Sequence, residues 1–331
     1  MAVLVLQFLI AAAVIVLAGT FLTRYADAIG EHTGMGRTVA GLVLLATATS
    51  LPELSVDCNL ARLGSANLAM GDLLGSSLLN LLILAVLDLL HRGAPVLSRT
   101  AAAHALSATM SMAVTAVCLI FLLVPITGTW AGVGPGPIVL GLVYLFGLRL
   151  VYFDQQSASA AAPAELGPLG TAPPLPPLGR SIIGYLACTV AILIVAPFLA
   201  HAAEGIADAT GLGGTFVGTT LVAFCTSLPE LVTTLAALRA GAFDLAVGNI
   251  FGSNTFNMVI LLPVDAFYDG SLLAAASPTH AVTAACTILV TSVAVLGLLY
   301  RPEKRYWLIE PDAALVILLV LMSLGLVYYM R

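Results

Sequence analysis

Residues Ala46 to Leu54 read "ATATSLPEL" and lie inside a strongly apolar part of the chain. A near copy, "AFCTSLPEL", runs from Ala223 to Leu231. Each copy places a helix-breaking proline and a charged glutamate inside a hydrophobic segment, where both are costly. A costly pattern that occurs twice indicates a functional site to which both copies contribute.

The composition is that of a membrane protein. The 331 residues are 60% hydrophobic and 9% charged, and the mean hydropathy is +1.07, whereas soluble domains are roughly 25% charged. Apolar runs of about 18 or more residues recur along the chain and predict transmembrane helices. The ten predicted spans are 3–28, 38–61, 68–90, 100–124, 132–153, 181–207, 214–238, 245–267, 275–300 and 307–330.

The two copies belong to a duplication of the chain with an offset of 177 residues, the distance from Ala46 to Ala223. At this offset Gly71–Asn80 aligns with Gly248–Asn257, and 15 of the 35 positions from 46 to 80 are identical without a gap. The offset carries the second span onto the seventh, and an odd displacement reverses the direction of crossing. Inverted repeats with interrupted helices are typical of secondary transporters.

The predicted fold is therefore an all-α polytopic membrane protein with ten transmembrane helices. Residues 1–153 form the first five-helix repeat, 154–180 a Pro/Ala/Gly-rich cytoplasmic linker, and 181–331 the second, inverted repeat, with Pro-interrupted helices 2 and 7. Of the 12 Lys and Arg residues, all but Arg62 and Arg331 fall on one side of this topology. Basic residues mark the cytoplasmic side, so both termini are expected outside.

The repeated motif predicts a cation site. Pro52 and Pro229 each leave a helical carbonyl without its donor, and Glu53 and Glu230 each cost about 3 kcal/mol at a helix centre. A bound cation would satisfy both kinds of group, because hard cations take all-oxygen ligands. The alternative, a kinked helix whose glutamate pairs with a buried base, is disfavoured because no Lys or Arg lies in mid-span. The hydroxyls expected to complete the cage belong to Thr49, Ser50, Thr226 and Ser227.

Spans 3 and 8 are expected to pack closely on the broken helices, because each carries two glycines four residues apart. This packing would let Ser77 and Asn254 line the site. For Asn80 and Asn257 two roles stay open, ion ligand or backbone partner.

Asp57 is a third acid, which lies one helical turn after Glu53 and on the same face. Thr234 takes its place in the second copy. Asp57 has three open roles: a further ion ligand, a proton acceptor, or a residue of the outer vestibule.

Several other classes of function are disfavoured. The five cysteines lie within spans without a Cys-x-x-Cys spacing, so neither a disulfide framework nor a zinc site is predicted. The net charge of −5 indicates no nucleic-acid partner, and no obligate protein partner is evident. The chain has no HExxH, GxSG or GxGD motif, which argues against an intramembrane enzyme. A channel built on the same repeat stays open.

Two inverted copies of Thr-Ser-x-Pro-Glu followed by Gly-Ser-x-x-x-Asn resemble the sodium/calcium exchanger family of the cation/calcium exchanger superfamily, in its short prokaryotic form. The resemblance implies that Glu53 and Glu230 bind both Ca²⁺ and Na⁺, and it adds the carbonyls of Ala46 and Ala223 as ligands. The family usually has Asn or Asp after Gly-Ser, and Ser77 departs from that pattern.

The resulting hypothesis is a secondary active cation antiporter in a prokaryotic inner membrane. It would exchange Na⁺ for Ca²⁺ by alternating access at a midplane site shared by both repeats, with no cofactor. The alternative is a Ca²⁺/H⁺ or other cation/H⁺ antiporter of the same superfamily, with Asp57 as the proton carrier.

Overall fold

The computed structural model describes residues 2–90, 101–161, 175–209, 224, 226–300 and 311–329. Within them the regular structure is helical, apart from one bridge between Trp130 and Val133. The helices are α1 (Ala2–Thr33), α2 (Gly36–Val39), a π-helix (Ala40–Leu45), α3 (Ala46–Thr49), α4 (Leu51–Arg62), α5 (Ala66–Leu90), α6 (Ala101–Leu123), α7 (Pro135–Ala161), α8 (Leu178–Ala209), α9 (Leu228–Arg239), α10 (Phe243–Asp265), α11 (Leu272–Ala275), α12 (His280–Tyr300) and α13 (Pro311–Tyr329).

Seven described helices are long and apolar enough to cross a membrane, and the count is eight if one bent pair forms a single span. The bent pair joins Gly36–Thr49 to Leu51–Arg62 at an angle of 46°. A shorter apolar helix covers Ala313–Val327. Predicted span 7, at 214–238, lies partly outside the described residues.

The predicted linker at 154–180 is partly helical. Helix α7 continues through Ala161, because the sequence "DQQSASAA" after Phe153 contains no Pro or Gly that would end a helix. Helix α8 begins at Leu178. Residues 162–174, with most of the linker's prolines, lie outside the described residues.

Helices α5 and α10 form the interior of the protein. In their most apolar stretches 67% and 83% of residues are buried, against at most 44% for the other span-length helices. Helix α10 packs against the π-helix, α5, α6, α7 and α9. These two interior helices are the ones that the offset of 177 residues superposes, so the duplication lies at the centre of the fold.

The outer helices expose large apolar side chains instead of burying them. Examples from four helices are Leu6 (59% exposed), Phe146 (65%), Ile183 (72%) and Leu296 (65%). Such a surface is unfavourable in water and favourable in lipid, so its apolar side chains are the ones that face the bilayer.

Candidate ion-binding site

The first broken helix changes its hydrogen-bonding pattern twice within a few residues. A π-helix covers Ala40–Leu45 and α3 covers Ala46–Thr49. The chain then leaves helical geometry at Ser50, whose φ and ψ are −91° and 6°, and α4 begins at Leu51. Short π-helical segments often lie at functional sites. Proline at the start of α4 is tolerated there, because the first N–H groups of a helix have no intrahelical acceptor.

The second copy reproduces this break. Ser227 has φ and ψ of −81° and 4°, and α9 begins at Leu228. Glu53 and Glu230 therefore both lie in the first turn of a helix, where the helix dipole favours a negative charge. Ala223 lies outside the described residues, so the predicted role of its carbonyl stays a prediction.

The two breaks meet in the interior. The hydroxyl of Ser50 donates a hydrogen bond to Oε1 of Glu230 over 3.3 Å. The hydroxyl oxygens of Thr49 and Ser253 lie 3.4 Å apart. Glu53 is 1% exposed and Glu230 is fully buried. The structure thus brings the predicted acids of both copies into one buried site.

The site contains more acceptor oxygens than donors. Within the described part of the chain, the ion pairs are Arg37–Asp27 and His104–Asp244, and neither includes a glutamate of the site. Several buried oxygens accept no hydrogen bond from a described residue. They include Glu53 Oε2, Glu230 Oε2, Ser76 Oγ, Asn80 Oδ1, Ser227 Oγ and Asn257 Oδ1. Buried oxygens without donors are costly unless a cation or a proton binds them.

The remaining predicted hydroxyls of the motif are buried. Thr226 and Ser227 are 2% and 1% exposed. The Ala46 carbonyl accepts the N–H of Ser50 at 3.0 Å and lies 3.4 Å from the Thr49 hydroxyl oxygen. Thr49 donates its hydroxyl proton to the Leu45 carbonyl over 2.9 Å. A hydroxyl that donates backward along its helix keeps its oxygen lone pairs for a cation.

Ser77 and Asn254 have other partners. The Ser77 hydroxyl donates to the Leu73 carbonyl over 2.9 Å. The Asn254 side chain accepts from Asn80 at 3.0 Å and donates to the Ser77 carbonyl at 3.1 Å. These bonds join α5 to α10, so in this structure the polar atoms of Asn254 link two helices.

The residues before them, Ser76 and Ser253, have buried hydroxyls, and the sequence analysis did not select them as ligands. The hydroxyl of Ser253 contacts Thr49, and Ser76 Oγ is buried without a hydrogen-bond partner among the described residues. One signal in the sequence could have identified them. Ser76 and Ser253 are identical between the repeats, whereas Ser77 and Asn254 differ.

Glycines let α10 approach the first broken helix. The close packing predicted from Gly71 and Gly75 of α5 is wrong, because a Cβ added to either would meet no backbone atom of a described residue within 4 Å. A Cβ added to Gly252 of α10 would lie 2.6 Å from the Leu42 carbonyl oxygen, and one added to Gly41 would lie 2.5 Å from the Leu245 carbonyl oxygen. Real Cβ atoms do not approach backbone so closely, so no other residue fits without moving a helix. The predicted close packing of α10 therefore rests on backbone contact.

Comparison with known proteins identifies the family. The sequence model of the family described as "Sodium/calcium exchanger protein" matches residues 3–153 and 180–330. The chain belongs to this family.

Relatives of this exchanger-family chain fit the assignment. CaxA of Alkalimonas amylolytica is 28% identical over 282 residues, which cover 84% of this chain and 86% of that protein. The sodium/calcium exchanger MaX1 of Methanosarcina acetivorans is 37% identical over 89 residues, 27% of this chain and 25% of MaX1. The solved structure of the sodium-calcium exchanger NCX_Mj, soaked with zero Na⁺ and Ca²⁺, is similar in fold, with a TM-score of 0.73, 21% identity and coverage of 98% and 99%.

The predicted family is therefore confirmed, and the chain is an integral membrane protein of a transporter family. The described residues contain no group of three or more His, Cys, Asp or Glu side chains placed to hold a metal ion. A transported cation would have to bind two carboxylates together with neutral oxygens.

Proposed function

We propose that this protein exchanges Na⁺ for Ca²⁺ across the membrane by alternating access at the site between the two broken helices. The Ser50–Glu230 hydrogen bond carries the proposal, because it joins the motif of one repeat to the glutamate of the other inside the protein. Two carboxylates with neutral hydroxyls and carbonyls supply the oxygen ligands and the two negative charges that suit one Ca²⁺.

Competition for these oxygens provides the coupling. When Ca²⁺ leaves, Glu53 and Glu230 hold two buried negative charges, which is unfavourable until other cations replace it. Na⁺ is also a hard cation that takes oxygen ligands. Na⁺ and Ca²⁺ that share ligands cannot occupy the site together. We therefore expect the two ions to be transported in opposite directions. The relatives named as sodium/calcium exchangers support this choice of ions.

We infer that Ser76 and Ser253 line the ion path together with the predicted hydroxyls of the motif. Ser253 contacts Thr49, and Ser76 Oγ is buried without a donor among the described residues. For Asn254 we propose an indirect role, because its side chain holds α5 against α10 through Asn80 and the Ser77 carbonyl. The Ser77 hydroxyl donates within its own helix, as that of Thr49 does, so its role as a ligand stays a prediction.

The topology of ten spans in two inverted repeats is part of the proposal. Two contacts support this topology, because each joins two segments that it places on the same side of the membrane. His32 donates from Nε2 to the Pro176 carbonyl over 2.9 Å, on the predicted cytoplasmic side. The Asn67 side chain accepts the N–H of Ser277 over 2.6 Å, on the predicted outer side. The distribution of basic residues supports termini outside the membrane, and we propose that this membrane is the inner membrane of a prokaryote.

The second candidate is a cation/H⁺ antiporter, and buried Asp57 is the observation that favours it. Both of its carboxylate oxygens lack a hydrogen-bond partner among the described residues. A proton would neutralise this carboxylate as a metal cation would. The buried Asp57 is therefore compatible with both sodium/calcium exchange and cation/H⁺ antiport.

Flux measurements on reconstituted protein distinguish the two. ⁴⁵Ca²⁺ uptake is measured in sodium-loaded proteoliposomes, in matched vesicles without a sodium gradient, and with K⁺ and pH varied. Sodium/calcium exchange predicts uptake that requires internal Na⁺ and persists without a pH gradient. Uptake driven by a pH gradient alone would favour the proton antiporter, and uptake insensitive to any counter-ion gradient would indicate a channel.

A further inference from the structure

Two acids outside the central glutamate pair lie on neighbouring helices. Asp57 of α4 is fully buried, and α4 packs against α5, which carries Asp72. Both oxygens of Asp57 and Oδ2 of Asp72 are buried and accept no hydrogen bond from any described residue. The ion pairs of the described chain involve neither acid. Two neighbouring buried carboxylates with three free oxygens are unfavourable unless a positive charge binds them.

In the second repeat, the positions equivalent to Asp57 and Asp72 carry uncharged residues. The offset of 177 residues superposes Asp57 on Thr234 and Asp72 on Asn249. In that copy the Asn249 side chain donates to the hydroxyl of Thr234, and also to that of Thr233, at 3.0 Å each. In the second repeat, neutral hydrogen bonds thus join the two helices at this position. In the first repeat the same position holds two carboxylates, which cannot donate hydrogen bonds to each other while ionised.

We propose that Asp57 and Asp72 form a second cation site for a hard divalent ion of the Ca²⁺ class, separate from the central site. A proton shared between the two acids would bind at most two of the three free oxygens, whereas a cation can bind all three. With Glu53 and Glu230 the protein holds four buried carboxylates in this region, and two divalent ions balance their four charges. Neutral oxygens and water would complete the coordination.

The position of the second site suggests its use. Asp57 follows Glu53 by four residues, which places it about 6 Å further along α4. Arg62 ends α4 and Ala66 begins α5, so the acidic pair lies between the central site and the end of the helices that the proposed topology places outside. A cation held there would be the next ion to enter or leave the central site. The inference holds for either proposed counter-ion.

The test measures how many Ca²⁺ ions bind, independently of transport. Purified full-length protein in detergent is titrated with ⁴⁵Ca²⁺ by equilibrium dialysis up to millimolar concentrations. The main variant is Asp57→Thr with Asp72→Asn, which gives the first repeat the pair that the second repeat already accommodates. Wild type is expected to bind about two Ca²⁺ per chain, and this double variant about one.

Two further variants complete the design. Asp72→Asn alone changes a partly buried residue, so it provides a second test if the double variant does not fold. It should weaken binding of the second Ca²⁺ by at least about tenfold. Glu230→Gln removes a central acid and should leave the outer ion bound. Size-exclusion profiles and thermal midpoints report whether each variant is folded.

The outcomes separate this inference from the proposed function. If wild type and the double variant bind equal numbers of Ca²⁺, the second site is refuted, and a shared proton explains the pair. If that equal number is one and Glu230→Gln abolishes binding, the central site stands alone. If wild type binds no Ca²⁺ at all, the proposed function and this inference are both overturned.

Discussion

Ser50 donates its hydroxyl proton to Oε1 of Glu230 over 3.3 Å, across an interval of 180 residues in the chain. The bond joins the break of one repeat to the carboxylate of the other. Because each copy supplies part of the site to its counterpart, neither repeat can build the site alone. A change in either copy should therefore affect a single ion-binding unit.

The first prediction concerns the two central acids. Glu53→Gln and Glu230→Gln each keep the size of the side chain but remove one charge from a buried ion site. Losing a buried ionic partner costs several kcal/mol, which is more than about a hundredfold in affinity at about 1.4 kcal/mol per tenfold. Either substitution should abolish ⁴⁵Ca²⁺ exchange in proteoliposomes, and the double variant should be no worse than a single one.

The control for this prediction is Glu31→Gln, which makes the same substitution at an exposed residue near the end of α1. It should exchange Ca²⁺ like the parent. Normal exchange by a well-folded Glu53→Gln or Glu230→Gln protein would refute the shared site.

The second prediction concerns helix packing at the site. Gly252→Ala adds a methyl group 2.6 Å from the Leu42 carbonyl oxygen, so α10 must move away from the first broken helix. Overpacking of this kind costs about 1–3 kcal/mol. We expect a lower thermal midpoint in detergent and slower exchange.

The matched control is Gly75→Ala, at the equivalent position of the first repeat. A Cβ added there meets no atom within 4 Å. Its thermal midpoint should stay close to that of the parent. Equal effects of the two substitutions would contradict the inferred backbone contact at Gly252.

The third prediction concerns the π-helix. Tyr185 of α8 donates its hydroxyl proton to the Leu44 carbonyl over 2.9 Å, within the π-helix that precedes the break. Tyr185→Phe removes this donor and should lower the free energy of unfolding by about 1 kcal/mol. Thermal melts of the variant check this, with the exposed Tyr152→Phe as the control. No difference between the two would show that the bond does not stabilise the π-helix.

The fourth prediction concerns orientation. Single cysteines are placed at Ala2 and Ala172 in a variant without the five native cysteines, and intact cells are treated with a membrane-impermeant thiol reagent. The distribution of basic residues predicts labelling at position 2 from outside and at position 172 only after permeabilisation. Labelling of position 172 in intact cells would reverse the proposed orientation.

Much of this organisation could be predicted from the sequence, because its signals are local or repeat at a fixed offset. Proline within an apolar run predicted an interrupted helix 2, and the structure breaks this helix at Ser50. The same motif led to the prediction of Glu53 and Glu230 as site acids. The family expected from the two copies of the motif is confirmed. The π-helix at Ala40–Leu45 had no such signal, since no residue type in "AGLVLL" marks a change of helical hydrogen bonding.

Composition, prolines and the repeat are properties of the chain alone, so the residue types of the site and their occurrence in two copies could be predicted without a structure. Which of two neighbouring residues turns toward the broken helices depends on tertiary packing. Adjacent residues of a helix point about 100° apart, so the sequence could not tell whether Ser76 or Ser77, and Ser253 or Asn254, lies toward the broken helices. That choice depends on how α5 and α10 pack, and their packing rests on contacts between residues far apart in the chain.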